Sequence, residues 1–144
     1  MCDDPLISVD YFPTILEIAR QGKPAHPVDG VSILPLFAQT GGLRRDAIYW
    51  HYPHYSNQGG PPSGAIRKGD YKLIEFYEDG RLELFNLKDD IGERQNLVRT
   101  EPKKAAELHA MLKRWRESVQ AAMPTVNPNY DPAKADQGLT GSKS

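Results

Sequence analysis

The sequence predicts an α+β fold: a small four-stranded antiparallel sheet packed by a long C-terminal helix and preceded by a helical segment. Three observations carry that expectation. Between Ala47 and Leu87, short runs rich in β-branched and aromatic residues alternate with turns built on Gly and Asp. Between Thr100 and Met123, Ala105, Leu108, Leu112, Trp115, Val119 and Ala122 recur at three- and four-residue steps, the period of one helix face. Ahead of both, Phe12, Ile15, Leu16 and Ala19 share a helical face of their own.

Taken in order, Ser8–Arg20 reads as the first helix. Asp10 suits its N-cap, Pro13 sits in the first turn where a missing N–H costs nothing, and Gly22 is placed to end it. A Pro-rich connector with Asp29-Gly30 follows, and Ser32 is placed to cap a short apolar segment, Ile33–Phe37. Thr40-Gly41-Gly42 is a loop. Ala47–Tyr52 reads as a strand, and the Gly, Pro, Ser and Asn of residues 53–64 as an irregular loop. Then come three strands, Ala65–Lys68, Tyr71–Tyr77 and Leu82–Leu87, separated by Lys68-Gly69-Asp70 and Glu78-Asp79-Gly80. Gly69 and Gly80 supply the positive φ that tight hairpin turns commonly need. Both faces of the middle strand carry bulk, Leu73 and Tyr77 on one side and Ile74 and Phe76 on the other. The long helix can cover one of these faces. The other calls for more of the chain or for a partner. Pro102 suits the first turn of the long helix and Pro124 forbids its continuation. This divides the chain into a helical segment at 1–45, the sheet and its helix at 46–123, and a loose tail at 124–144.

The bulk numbers bound the function. A chain of 144 residues supports one domain with a real core. A net charge of −1 provides no basic field for nucleic acid or an anionic membrane surface, and a mean hydropathy of −0.60 fits a soluble protein. No apolar run approaches the roughly 18–20 residues of a membrane helix, and Met1-Cys2-Asp3-Asp4 lacks the basic-then-apolar start of a signal peptide. The single Cys2 excludes an internal disulfide framework and a thiolate zinc cluster.

Few residues stand out as carriers of chemistry. His51-Tyr52-Pro53-His54-Tyr55 places two imidazoles beside a Gly/Pro-rich loop, where they could meet a metal or a substrate. Metal binding is the weaker reading, since no carboxylate or third histidine lies close in sequence. Arg67 and Lys72 read as solvated or paired with acids such as Glu75 and Glu83. Asp89-Asp90 with Glu93 lacks the alternating spacing of a calcium loop, so Asp90 and Asn96 are expected to bond backbone in a turn, with Glu93 near the following helix start. At most two of Tyr49, Trp50 and Tyr52 can share a strand face, which favours core or interface packing over a sugar platform.

Ala65-Ile66-Arg67-Lys68-Gly69-Asp70-Tyr71-Lys72-Leu73-Ile74, then Leu84-Phe85-Asn86-Leu87, then Asp90, Glu93 and Asn96-Leu97, resembles the C-terminal subdomain of the sulfatase family. The family pattern runs roughly A-I-R-x-G-x-Y-K-L-I, then L-Y-D-L-x-x-D-P-x-E-x-x-N-L; Phe85, Asn86 and Ile91 depart from it. The earlier stretches from Val9 to Ala19 and from Asp29 to Phe37 resemble the segment that follows the catalytic half, so the likeness spans about Ser8 to Trp115. It implies the C-terminal subdomain of an alkaline-phosphatase-like hydrolase of sulfate esters. The intact enzyme would use a formylglycine, made from Cys or Ser in a C-x-P-x-R motif, and a calcium ion held by Asp and Asn. This chain carries neither: Cys2 is followed by Asp3-Asp4-Pro5-Leu6, with proline one residue late and no arginine. The likeness also implies a missing N-terminal catalytic domain as partner, a sulfated sugar or aryl sulfate as substrate, and a periplasmic or extracellular setting. In sulfatases the loop after the first strand can reach the cleft rim, so His51, His54, Tyr55 and Asn57 are the candidate substrate contacts. The alternatives are a stand-alone module binding sulfated carbohydrate around Tyr49–Tyr55 with Arg44-Arg45, and an inactive truncated remnant with apolar surface near Ser8–Phe37.

Overall fold

The computed structural model describes residues 4–22, 24, 26–56 and 59–131. A 3-10 turn at Ser8–Asp10 leads into α1 (Tyr11–Ile18), and α2 (Leu34–Phe37) follows the connector. The strands β1 (Ile48–Tyr52), β2 (Ser63–Lys68), β3 (Tyr71–Phe76) and β4 (Leu82–Asn86) precede α3 (Pro102–Ser118). The four strands pair as an antiparallel meander in the order β1-β2-β3-β4. The α+β expectation therefore holds element for element, with ends shifted by a few residues. Gly69 and Gly80 adopt φ of 57° and 69°, as their hairpin turns require.

All three helices end on a non-glycine residue. The chain turns left-handed at Arg20, Gln39 and Gln120, with φ of 55°, 54° and 51°. After α1, Gln21 N–H donates to the Leu16 carbonyl and Arg20 N–H to Glu17, closing the last turn; Thr40 and Gln39 do the same after α2, and Ala121 and Gln120 after α3. Gly22 thus plays no part in stopping α1, and α3 stops five residues short of Met123 because the backbone reverses at Gln120. The carbonyls of the last turn are satisfied by this closure, so no glycine is needed there.

The core is a single layer between the sheet and α3. Ile66, Leu73 and Leu84 from three adjacent strands meet Ala105, Leu108 and Leu112 of the helix. Tyr49 on β1 stacks on Trp115 with ring centroids 4.9 Å apart. Each large aliphatic side chain buried here contributes about 1.5–3 kcal/mol. The loop before α3 is pinned to the sheet by Asn96, whose Oδ1 accepts from Leu84 and Val98 N–H, and is shaped by Asp90, whose Oδ2 accepts from Arg94 and Gln95 N–H. The expected turn roles of Asp90 and Asn96 are observed. Glu93 instead reaches back to the sheet and pairs with Lys72 at 2.6 Å.

The N-terminal segment is organised by Asp10, which is 1% exposed. Its carboxylate does not cap α1, as the sequence had led us to expect. Oδ2 accepts from Ile7 N–H, while Oδ1 accepts from Val31 N–H at 3.1 Å and from Arg45 Nη1 at 2.7 Å. Arg45 also donates to the Pro5 carbonyl. Beside it, Thr14 Oγ1 donates to the Asp10 carbonyl and accepts from Ile33 N–H. Two polar side chains thus fasten the connector onto α1. The apolar side chains of α1 remain uncovered: Tyr11, Ile15 and Ile18 are 63%, 61% and 59% exposed, and Thr14 is the buried residue of that helix.

Candidate functional site

β1 delivers His51 to the helix side of the sheet and Tyr52 to the opposite side, because side chains alternate along a strand. His51 stands opposite Gly64 on β2, which stands opposite Glu75 on β3. The absence of a side chain at Gly64 is what lets Tyr77 cross β2. A Cβ there would overlap the Tyr77 hydroxyl. Tyr77 Oη lies 2.7 Å from His51 Nδ1, and His51 Nε2 lies 2.9 Å from the carbonyl of Ala122, beyond the end of α3. A carbonyl only accepts, so Nε2 carries a proton and donates it to Ala122, while Nδ1 and the Tyr77 hydroxyl share the second bond. Both nitrogens of His51 are engaged within the chain.

Next to this bond sits an ionic cluster under α3. Glu75 Oε2 lies 2.7 Å from Arg116 Nη1, and Glu75 Oε1 lies 3.0 Å from His109 Nε2. The Arg116 guanidinium also lies over the Tyr77 ring, 5.2 Å from its centroid. Burial opposes the charge on Glu75, yet the close approach of His109 and Arg116 outweighs it and holds the carboxyl below its ordinary range. Burial pushes the Tyr77 phenol up. The sequence reading missed this cluster, since it named Glu75 and Glu83 only as acids that Arg67 and Lys72 could meet if they were not solvated. Lys72 pairs with Glu93, and Glu83 lies 3.8 Å from Arg81. The available signal was Arg116 itself, four residues after Leu112 on the buried stripe.

The loop after β1 leads away from this cluster. The His54 ring stands edge-on to Tyr52, with centroids 5.8 Å apart, and Tyr55 Oη donates to Glu78 Oε1 at 2.5 Å in the turn between β3 and β4. That bond to Glu78, ahead of desolvation, raises the Tyr55 phenol. His54 and Tyr55 are exposed, and Asn57 falls outside the described residues. The fold therefore separates the two imidazoles: His51 turns toward α3, and His54 packs on a ring from the other face. Of the basic pair considered for a stand-alone site, Arg45 is committed to Asp10. Tyr49 is committed to Trp115, leaving Trp50 and Tyr52 to share the far face.

Among the described residues no three His, Cys, Asp or Glu side chains gather where they could hold a metal ion. A surface depression of about 550 Å³ is lined by residues between Val31 and Arg44 and includes none of His51, His54 and Tyr55. No helix among the described residues is long and apolar enough to cross a membrane.

A sheet roofed by one helix, with an ionic cluster under that helix and an open apolar flank on α1, makes this an α+β domain. The chain belongs to the sulfatase family: residues 1–121 match the family described as N-sulphoglucosamine sulphohydrolase, C-terminal. It is similar to a sulfatase of Formosa agariphila, 33% identical over 123 residues, which cover 75% of this chain and 22% of the relative. It is also similar to an N-acetylglucosamine-6-O-sulfatase of Bacteroides thetaiotaomicron, 32% identical over 96 residues, covering 63% of this chain and 17% of that protein. A solved structure bound to its substrate D-glucosamine-2-N,6-O-disulfate superposes with a TM-score of 0.66 at 30% identity, over 77% of this chain and 24% of the other. A 2-O glycosaminoglycan sulfatase shares the fold with a TM-score of 0.72, over 86% of this chain and 27% of the other. The chain spans about a quarter or less of the length of these relatives.

Proposed function

We propose that this chain is the C-terminal portion of a sulfatase that hydrolyses sulfate esters of carbohydrates, and that it supplies scaffold and part of the substrate rim while the rest of the polypeptide supplies the nucleophile and calcium. The observation that carries the reading is the family match over residues 1–121 in a chain that spans only 22% of a full-length sulfatase relative. The uncovered flank of α1 supports it, since Tyr11, Ile15 and Ile18 present the apolar surface that a catalytic domain would bury. Relatives that act on sulfated glucosamine support a sulfated amino sugar as the substrate class.

Within the candidate contacts, His54 and Tyr55 are the side chains open to a ligand. His51 holds the base of their loop through Tyr77 and Ala122. In the complete enzyme, His54→Ala and Tyr55→Ala raise KM for a sulfated sugar several-fold, up to about tenfold, while kcat for a small aryl sulfate stays near the parent value. Unchanged KM in both variants removes the rim role. The 144-residue chain assayed alone is inert toward aryl sulfates, whereas the complete polypeptide turns them over. Saturable binding of sulfated sugar by the chain alone favours the stand-alone module instead.

A further inference from the structure

We propose that Glu78 determines specificity at the substrate rim: its carboxylate receives the unsubstituted ammonium of a sulfated amino sugar and turns away a sugar whose nitrogen carries a second sulfate. The inference rests on the rim reading of His54 and Tyr55 above.

Strand register sets Tyr52, at the end of β1, opposite Ser63, and Ser63 opposite Phe76. The loop after β1 and the turn between β3 and β4 therefore lie at one end of the sheet. Tyr55 bridges them, its hydroxyl donating to Glu78 Oε1 at 2.5 Å. A phenol has one proton to give, so Tyr55 keeps only lone pairs for a ligand. Glu78 is exposed, its Oε2 takes no hydrogen bond among the described residues, and no cation pairs with its carboxylate there. The arginine of the same turn is committed elsewhere. Arg81 Nη1 lies 2.9 Å from Asp79 Oδ2, and its guanidinium lies over the Phe76 ring, 3.7 Å from the centroid. Residues 78–83 set three acids, Glu78, Asp79 and Glu83, against that one arginine. A sulfate arriving beside Tyr55 meets phenol lone pairs and an unneutralised carboxylate, with a donor from neither. Like charges about 4 Å apart in water cost about fivefold in affinity, and an ammonium in the same place gains by a similar factor. Repulsion of the wrong ligand discriminates as effectively as attraction of the right one. The donor of this rim is His54, whose ring rests edge-on against Tyr52 and makes no hydrogen bond among the described residues.

The test uses the complete enzyme and two sugars that differ at one group, glucosamine 6-O-sulfate and glucosamine 2-N,6-O-disulfate. Calorimetric binding is expected to favour the free amine by about fivefold or more, and the preference is expected to shrink at high salt because the carboxylate is exposed. Glu78→Gln is expected to bring the ratio near one, and Glu78→Lys to reverse it. A ratio that Glu78→Gln leaves unchanged overturns the proposal. So does equal weakening of both sugars, which makes Glu78 a brace for Tyr55 and nothing more. The rim reading is checked separately by His54→Ala and Tyr55→Ala. Weakened binding in these variants with a ratio independent of Glu78 sinks the Glu78 assignment alone; unchanged binding in them with a ratio that follows Glu78 sinks the His54 and Tyr55 contacts alone. Release of sulfate from the 6-O-sulfate by the same preparation tests the sulfatase reading apart from both.

Discussion

The carboxylate of Glu75, in the middle of β3, meets the guanidinium of Arg116 in the last turns of α3 at 2.7 Å, in a site that leaves both side chains almost out of contact with water. This pair, extended by His109, ties the helix to the sheet by charge where the aliphatic layer of Leu108 and Leu112 ends. Removing one partner strands the other in a poorly solvated place. Arg116→Met and Glu75→Gln should each destabilise the fold by about 3 kcal/mol or more. The double variant Glu75→Met/Arg116→Met should lose less than the sum of the two, and denaturant midpoints of the three proteins measure the difference.

Acid should weaken the same tie. The folded-state carboxyl of Glu75 titrates below the ordinary 4.5 and that of Asp10 below 3.8. A depressed carboxyl stabilises the fold fully above its unfolded value and loses that contribution as pH falls through its folded value. Stability should therefore hold at neutral pH and decline once pH drops below about 4.5, where protons begin to bind the unfolded chain more readily than the folded one. In Glu75→Gln the decline should be shallower, and urea midpoints across the acid range follow it.

Gly64→Ala forces a methyl into the Tyr77 hydroxyl and to within 3.3 Å of the Trp50 carbonyl. Overpacking of this kind costs about 1–3 kcal/mol. Tyr77→Phe removes the clashing oxygen, so the double variant should recover part of the loss. A fully additive thermal melt would refute the crossing of Tyr77 over β2.

His51→Ala removes the part-buried bond to the Tyr77 hydroxyl, which keeps Arg116 beside it, and the exposed bond to the Ala122 carbonyl, at a cost of about 1 kcal/mol. Amide exchange in residues 119–123 should accelerate while that of β3 and β4 stays near the parent rate, because the lost bond is the one that draws the chain after α3 back to β1.

Asp10→Ala should free the connector. Val31 N–H and Arg45 lose the buried carboxylate they share, and Arg45 keeps only the Pro5 carbonyl. The cost is about 3 kcal/mol for breaking a buried ion pair, and proteolysis between residues 26 and 37 should quicken well before the sheet is attacked.

Much of this protein was determined by local pattern. The four strands, their turns at Gly69 and Gly80, the long helix with Leu108 and Leu112 inward, and the family resemblance all depend on residues close in sequence, and the structure places them as read. The helix ends were not legible, because Arg20, Gln39 and Gln120 reverse the backbone by satisfying carbonyls that any residue type leaves open. Ionic partners were not legible either. Glu75 had Arg67 and Lys72 within a few residues, yet the register turns those cations to the far face and presents Glu75 to Arg116 and His109. The two histidines of His51-Tyr52-Pro53-His54 looked like one site and became two, since β1 turns His51 to the helix side, where Gly64 leaves Tyr77 a path to it, and His54, past the end of β1, packs on Tyr52 from the other face. Sequence neighbours set which element forms; which charges meet across elements depends on strand register and helix rotation, and these exist only in the folded chain.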